Sequence, residues 1–289
     1  MSVSPWPVCV FPTCAKLGVP ADTPADRLCA DCGRPLSGPG FGPETGYRIG
    51  VFLGSGYFAD VFLALELESG IACAAKIYGD GPSKREAWAR ETAALRRLAH
   101  PRLPKLMDSF DEDGRLFVVM ELIEGASLRQ EVTRHGPLDV ARAVKMCIDA
   151  CEVLEYVSSQ GWTYRDLHPS NIHLNTPKGT MLIDFDGARP PGWPAQPAGR
   201  VGYRAPELEA ERPVSSACDV FSLVGCLYFA LTGNDPPSEL GPLPELRGLL
   251  ARFPLLADLV GDGRLADPAR RPTAGALRAA LALLVSPND

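Results

Sequence analysis

The 289-residue sequence has no excess of positive charge. It carries 29 Lys and Arg against 35 Asp and Glu, a formal net charge of -6. Nucleic-acid binders ordinarily show a basic surplus on one face, so no nucleic-acid partner is expected. An apolar run of membrane-spanning length is also missing. The longest, "DVFSLVGCLYFALTG" from Asp219, begins with an acid and falls short of the roughly 20 residues a spanning helix needs. It reads as a buried core helix, and no membrane partner is expected. The opening "MSVSPWPVCVFPTC" lacks a basic start and a clean apolar stretch, so no signal peptide is expected and the cytoplasm is the default compartment. The nine cysteines are an odd number, which, without an export signal, argues against a disulfide framework.

What is present is a hydrophobic fraction of 46%, enough for a sizeable core in one large domain or two small ones. The cysteines divide by position. Cys73, Cys147, Cys151, Cys218 and Cys226 are scattered through apolar segments and read as reduced core thiols. Cys9, Cys14, Cys29 and Cys32 crowd the start as C-x4-C-x14-C-x2-C. Two short-spaced pairs separated by a loop suit one tetrahedral zinc ion. The alternative is four unrelated thiols, but residues 1–36 are too short and too poor in apolar side chains to fold on burial alone, and a metal would supply the missing free energy. Residues 37–46, rich in Gly and Pro, read as a linker.

From Tyr47 the pattern turns to strands. "YRIGVFLGSGYFADVFLALEL" alternates around a Gly-rich tip, and "GIACAAKIY" supplies a third strand. Gly54 and Gly56 at the tip let backbone amides approach phosphates, and Lys76 on the next strand places an ammonium within reach of them. The order strand, glycine turn, strand, lysine is far more specific than the glycines alone. "SKREAWARETAALRRLAHPRL" reads as a helix stopped before Pro101. Of its two candidate acids, Glu86 and Glu91, the second shares a helical side with Leu95 and is the expected partner of Lys76. "RLFVVMELIEGASL" reads as a strand entering a Gly-containing connector, and helices are expected from about Leu138 to Ser159. Asp166 and Asn171 then fall five apart in "YRDLHPSN", and Asp184 follows the short apolar strand "MLID". Two carboxylates and an amide converging after strands make a divalent-metal and general-base site for phosphate chemistry.

With these motifs in order, residues 47–285 resemble the protein kinases. "GSGYFADV" resembles their glycine loop, with Ala59 at the third glycine, "CAAK" their strand-three lysine, "YRDLHPSN" their catalytic loop, and "DFD" their Asp-Phe-Gly. The resemblance implies an α+β bilobal fold, with a β-rich lobe over 47–123 and a helical lobe over 124–285. It implies Asp166 as base, Lys76 and Glu91 as the phosphate-anchoring pair, and Asn171 and Asp184 as ligands of magnesium or manganese. It implies that ATP is held by Gly54, Ser55, Gly56, Val61 and Ala74, by Met120 as gatekeeper, by the Glu121 carbonyl and Ile123 amide, and by His173 beneath adenine. "RAPE" resembles the end of the activation segment, with Glu207 expected to pair with Arg271, and "DVFSLVG" the helix whose Asp219 braces the catalytic loop. The cysteine prefix resembles that of certain bacterial serine/threonine kinases and, with "GYRAPE", implies Ser/Thr specificity, while "APE" and the helices after it imply a protein substrate.

The chain also departs from that family. Tyr164 replaces a histidine, a mild change, since both rings pack under Phe185. His168 stands where a lysine flanks the γ-phosphate, and a neutral imidazole supplies little charge. Arg200 stands where a threonine is usual near the catalytic Asp, which allows the missing charge to have moved from 168 to 200; a solvent-facing surface arginine is the alternative. Asp186 replaces a glycine, a residue freer at positive φ. Between Asp184 and Glu207 there is no Ser or Thr, Tyr203 is the only hydroxyl, and Pro190, Pro191, Pro194 and Pro197 crowd the stretch ahead of the closing "RAPE". The sequence supports three readings: an active serine/threonine protein kinase, a nucleotide-binding scaffold with little activity, or a zinc-dependent binding module with the kinase fold as bystander.

Overall fold

The computed structural model describes residues 45–112, 114–190, 199–208, 214–238, 243 and 254–284. The prefix over 1–36, with Cys9, Cys14, Cys29 and Cys32, lies outside the described residues. The chain divides into two compact units. One runs up to Thr92 and adds Lys105–Leu122; the other comprises Ala93–Pro104 and the residues from Ile123 onward.

The first unit is built on an antiparallel sheet. β1 (Tyr47–Ser55), β2 (Ala59–Glu66), β3 (Ala72–Tyr78), β4 (Leu106–Glu112) and β5 (Arg115–Glu121) stand in the order β1-β2-β3-β5-β4. The central strand β3 is buried over Cys73–Lys76, so its sequence is a continuous run of small residues rather than an alternation. Cys73 and Ala75 face one side and pack with Tyr47, Ala64 and Val119. Phe110 stacks on Tyr47 and on Phe117, with ring centroids 6.0 and 4.8 Å away. Strand periodicity sends Ala74, Lys76 and Tyr78 to the opposite face.

Helix α1 (Pro82–Arg97) opens on a proline, whose missing amide proton costs nothing at the first helical position. It ends with Arg96 and Arg97, whose charges complement the helix dipole, four residues before Pro101. The Trp88 indole anchors its first half by donating to the Phe117 carbonyl at 2.8 Å.

The second unit is mainly helical. A small sheet of β6 (Ala126–Ser127), β7 (Ile172–Thr176) and β8 (Gly179–Leu182) accompanies α2 (Leu128–His135), α3 (Val140–Ser159), α4 (Ala217–Thr232), α5 (Pro254–Gly263) and α6 (Ala274–Ala282). Helix α2, which periodicity did not reveal, is short and held by a capping box. The Ser127 hydroxyl accepts from the Gln130 amide at 3.2 Å, and the Gln130 side chain accepts from the Ser127 amide at 2.9 Å. Helix α4 is the apolar run of the sequence, and it is buried from Cys218 to Leu231. It is therefore core, flanked by α3 and α5. Among the described residues no helix is long and apolar enough to cross a membrane. A β-sheet unit joined to a helical one is the kinase-like fold.

Candidate active site

In the sheet unit the site begins with Lys76, in register with Val61 on one neighbouring strand and Val118 on the other. It is buried, and its ammonium lies 2.8 Å from Oε2 of Glu91, which is fully buried. Glu86 is instead a surface acid, 3.5 Å from Arg90. The Tyr78 hydroxyl also donates to Glu91 Oε2.

The glycine turn differs in detail from the sequence reading. Gly54 lies within β1, opposite Val61 and just past a bulge, and not at the tip. The tip is Gly56, Tyr57 and Phe58, closed by the Gly56 amide donating to the Ala59 carbonyl at 2.8 Å. Ser55 donates to Asp60 Oδ1 at 2.6 Å, and Ala59, at the third-glycine position, is buried. Ala74 pairs with Met120 across β3 and β5, and both are buried. Glu121 ends β5, its amide donating to the Lys105 carbonyl at 2.8 Å.

In the helical unit, Asp219 fixes the loop that carries Asp166. Its two carboxylate oxygens accept the amides of Tyr164 at 2.9 Å and Arg165 at 2.7 Å. Burial pushes its pKa up to about 6, against the lowering effect of those two donors. The Tyr164 hydroxyl donates to the Ile183 carbonyl, and its ring meets Phe185 edge-on at 5.0 Å. Asn171 knits the candidate residues together. Its side-chain nitrogen donates to the Asp166 carbonyl at 3.0 Å, its amide donates to the His168 carbonyl at 2.9 Å, and its own carbonyl accepts the Ile183 amide at 3.0 Å. The last bond ties Asn171 to the residue preceding Asp184. The Asn171 side-chain oxygen and the Asp184 carboxylate are hard oxygen donors. Magnesium takes one or two such protein ligands and completes its shell with phosphates and water, so this donor set fits it.

Asp184 sits at φ 68 and Arg165 at φ 74, the only described non-glycine residues with positive φ. Such left-handed conformations are sparsely populated and concentrate at functional sites. Asp186 is not among them. The concern that replacing a glycine at 186 would strain the backbone is thus corrected: the left-handed residue of this motif is Asp184. Close approach is required one residue later, at Gly187, where a Cβ would lie 2.9 Å from the Asp166 Cβ. The sequence reading missed Gly187, although the "DG" dipeptide marked it.

His168 is buried. Its Nδ1 accepts the Ser170 amide at 3.2 Å, which leaves the proton on Nε2, and Nε2 lies 3.9 Å from Asp166 Oδ1. Burial first, and the nearby Arg200 charge second, lower its pKa to about 4, so at neutral pH it contributes a dipole and no charge. Arg200 is exposed. The preceding Gly199 runs against the catalytic loop, where a Cβ would lie 3.2 Å from the Arg165 carbonyl and 3.7 Å from Asp166 Oδ1. His173 is half-buried, and burial lowers its pKa. Ile123 is half-buried at the start of the helical unit.

Arg271 and Glu207, 64 residues apart, form a two-pronged buried pair at 2.6 and 2.8 Å. Arg271 also donates to the Ala217 and Leu265 carbonyls at 3.0 and 2.8 Å. Tyr203 is buried, and its hydroxyl donates to Asp235 at 2.5 Å. Asp235 is also paired with Arg129, whose guanidinium lies over the Phe229 ring at 4.1 Å.

The protein kinase domain model matches residues 47–242, more than half of the chain. The chain belongs to the protein kinase family. It is 31% identical over 253 residues to serine/threonine-protein kinase B of Synechocystis, covering 79% of this chain and 42% of that protein. It is 31% identical over 211 residues to the serine/threonine-protein kinase PknD of Mycobacterium tuberculosis, covering 70% of this kinase and 31% of the relative. A probable serine/threonine-protein kinase of Corynebacterium efficiens is also 31% identical, over 208 residues, 67% of this chain and 31% of its own. The chain thus spans about a third of the length of the curated kinases it matches.

Proposed function

We propose that the chain is an ATP-dependent kinase that transfers the γ-phosphoryl group to serine or threonine hydroxyls of a protein substrate. The observation that carries this reading is the Asn171 cross-tie, which joins the Asp166 backbone to the strand end preceding Asp184. In this role Asp166 accepts the proton of the attacking hydroxyl. Lys76, oriented by Glu91, holds the nucleotide phosphates, and the missing side chains of Gly54 and Gly56, on either side of Ser55, let the phosphates approach the backbone. Asn171 and Asp184 would hold magnesium or manganese, which supplies neutralisation of the phosphate charge. Val61, Ala74, Met120, Glu121, Ile123 and His173 would bound the adenine. Arg200 would add positive charge near Asp166 in place of the missing lysine. Transfer of labelled phosphate from ATP, compared between the wild type and Asp166→Asn, tests the reading.

A second reading, a nucleotide-binding scaffold with little turnover, is favoured by one observation: the neutral, buried His168 in the lysine position. The same assay separates the two. The proposal also includes a zinc ion held by Cys9, Cys14, Cys29 and Cys32, supported by their spacing alone, and a cytoplasmic compartment, supported by five free buried cysteines among the described residues.

A further inference from the structure

Lys76 and Glu91 form an ion pair removed from water, with 3% and 0% of their surface exposed. Burying two charges costs several kcal/mol per ion, and mutual attraction offsets this only when further hydrogen bonds satisfy the remaining lone pairs. A further donor is Tyr78. It stands two residues after Lys76 on β3, so strand periodicity places both side chains on the same face. Its hydroxyl donates to Glu91 Oε2, the oxygen that also meets the ammonium. Its ring lies 5.4 Å from the ammonium, within range for a cation–π attraction. Tyr78 is fully buried, and a buried phenol hydroxyl needs a polar partner; here that partner is the glutamate that orients the phosphate-anchoring lysine.

We propose that Tyr78 is a positioning residue that locks Glu91 onto Lys76 and so builds into the sheet unit an orientation that other kinases set by moving the helix or by phosphorylation. The proposal rests on the kinase reading of the Lys76–Glu91 pair. It deepens that reading by naming how the pair is held: Glu91 takes two donors from one strand, the ammonium of Lys76 and the phenol of Tyr78, and turning α1 would break both bonds at once.

Tyr78→Phe removes the hydroxyl and keeps the buried ring, so packing and the cation–π contact survive. A hydrogen bond to a charged group is worth enough that kcat/KM for ATP should fall by about tenfold or more, with KM for the protein substrate unchanged. Native-state amide exchange over Trp88–Thr92 in α1 should quicken, while β3 and β5 stay protected. In a double-mutant cycle, adding Tyr78→Phe to Glu91→Gln should cost less than it does in the wild type, because the hydroxyl acts through the carboxylate. An unchanged exchange rate in α1, an unchanged kcat/KM for ATP, or strictly additive effects would each overturn the lock. Wild-type protein that turned over no ATP would overturn the kinase reading instead, and the exchange rates alone would then decide whether Tyr78 holds Glu91.

Discussion

Nε2 of His168 lies 3.9 Å from Oδ1 of Asp166, and the imidazole is neutral, buried and fixed by the Ser170 amide on its other nitrogen. A lysine here would place a full charge beside Asp166. Positive charge reaches this neighbourhood from Arg200 first and from Arg129 second, both close enough to His168 to help lower its pKa. Because Arg200 is exposed, its field is screened by salt. Arg200→Thr is therefore expected to lower kcat by about tenfold at low ionic strength, less than the hundredfold typical of a water-excluded contact. The loss should shrink as salt is added, and His168→Lys introduced on top should restore much of the rate. Steady-state kinetics at two salt concentrations check this. An unaltered rate in Arg200→Thr would remove Arg200 from the site.

The low pKa of His168 also has a consequence for stability. The unfolded chain binds a proton at this histidine near pH 6.5, whereas the folded chain does so only near 4. Between those values the unfolded state binds more protons, so the His168 contribution to stability rises with pH and is lost as pH falls. Asp219 acts in the opposite direction. Its folded pKa of about 6 is above the ordinary 3.8, so its stability contribution is present at low pH and lost as pH rises through 6. Denaturant unfolding from pH 4 to 7 should show His168→Asn losing less stability on acidification than the wild type. Identical pH slopes for the two proteins would show that His168 does not titrate in this way.

Activity should not depend on phosphorylation of the activation segment. Tyr203 is its only hydroxyl-bearing residue, and that hydroxyl is buried against Asp235, where a phosphate would meet a carboxylate and lose hydration. Pro190, Pro191, Pro194 and Pro197 lower the entropy of the open chain, which reduces the need for a phosphate to order it. Phosphatase treatment is expected to leave the rate unchanged, and mass spectrometry of active protein to find Tyr203 unmodified. Phosphate on Tyr203 together with loss of activity on its removal would be the contrary result.

The cysteine prefix gives a prediction independent of catalysis. Elemental analysis of purified protein should return one zinc per chain, and the double substitution Cys29→Ser, Cys32→Ser should abolish it. Metal content well below one zinc, or unchanged in the double variant, would count against a zinc site.

The Lys76–Glu91 and Glu207–Arg271 ion pairs and the Asp219 brace were legible in the sequence because chemistry fixed the spacing. Lys76, Glu91, Asp166, Asn171, Asp184 and the distant pair Glu207–Arg271 each occupy a motif whose order restricts its meaning. The apolar length of 219–233 marked α4 as core. Helix α2 was not legible, since its stability comes from a two-bond cap and tertiary contact more than from eight residues of periodicity. The left-handed Asp184 and the close approach at Gly187 depend on backbone geometry, which residue identity constrains only loosely. Tyr78 was on the correct face by simple alternation, but nothing in "AKIY" shows that its hydroxyl reaches Glu91, because that contact joins a strand to a helix thirteen residues further along the chain.

The most direct test of the central claim is transfer of labelled γ-phosphate from ATP to a protein acceptor, with magnesium and with manganese, for the wild type and Asp166→Asn. A positioned general base contributes about a hundredfold or more. Measurable transfer to serine or threonine by the wild type is expected, with a loss of at least about that size in the variant. Wild-type turnover no higher than that of Asp166→Asn, in protein that still binds ATP, would contradict it and leave the scaffold reading.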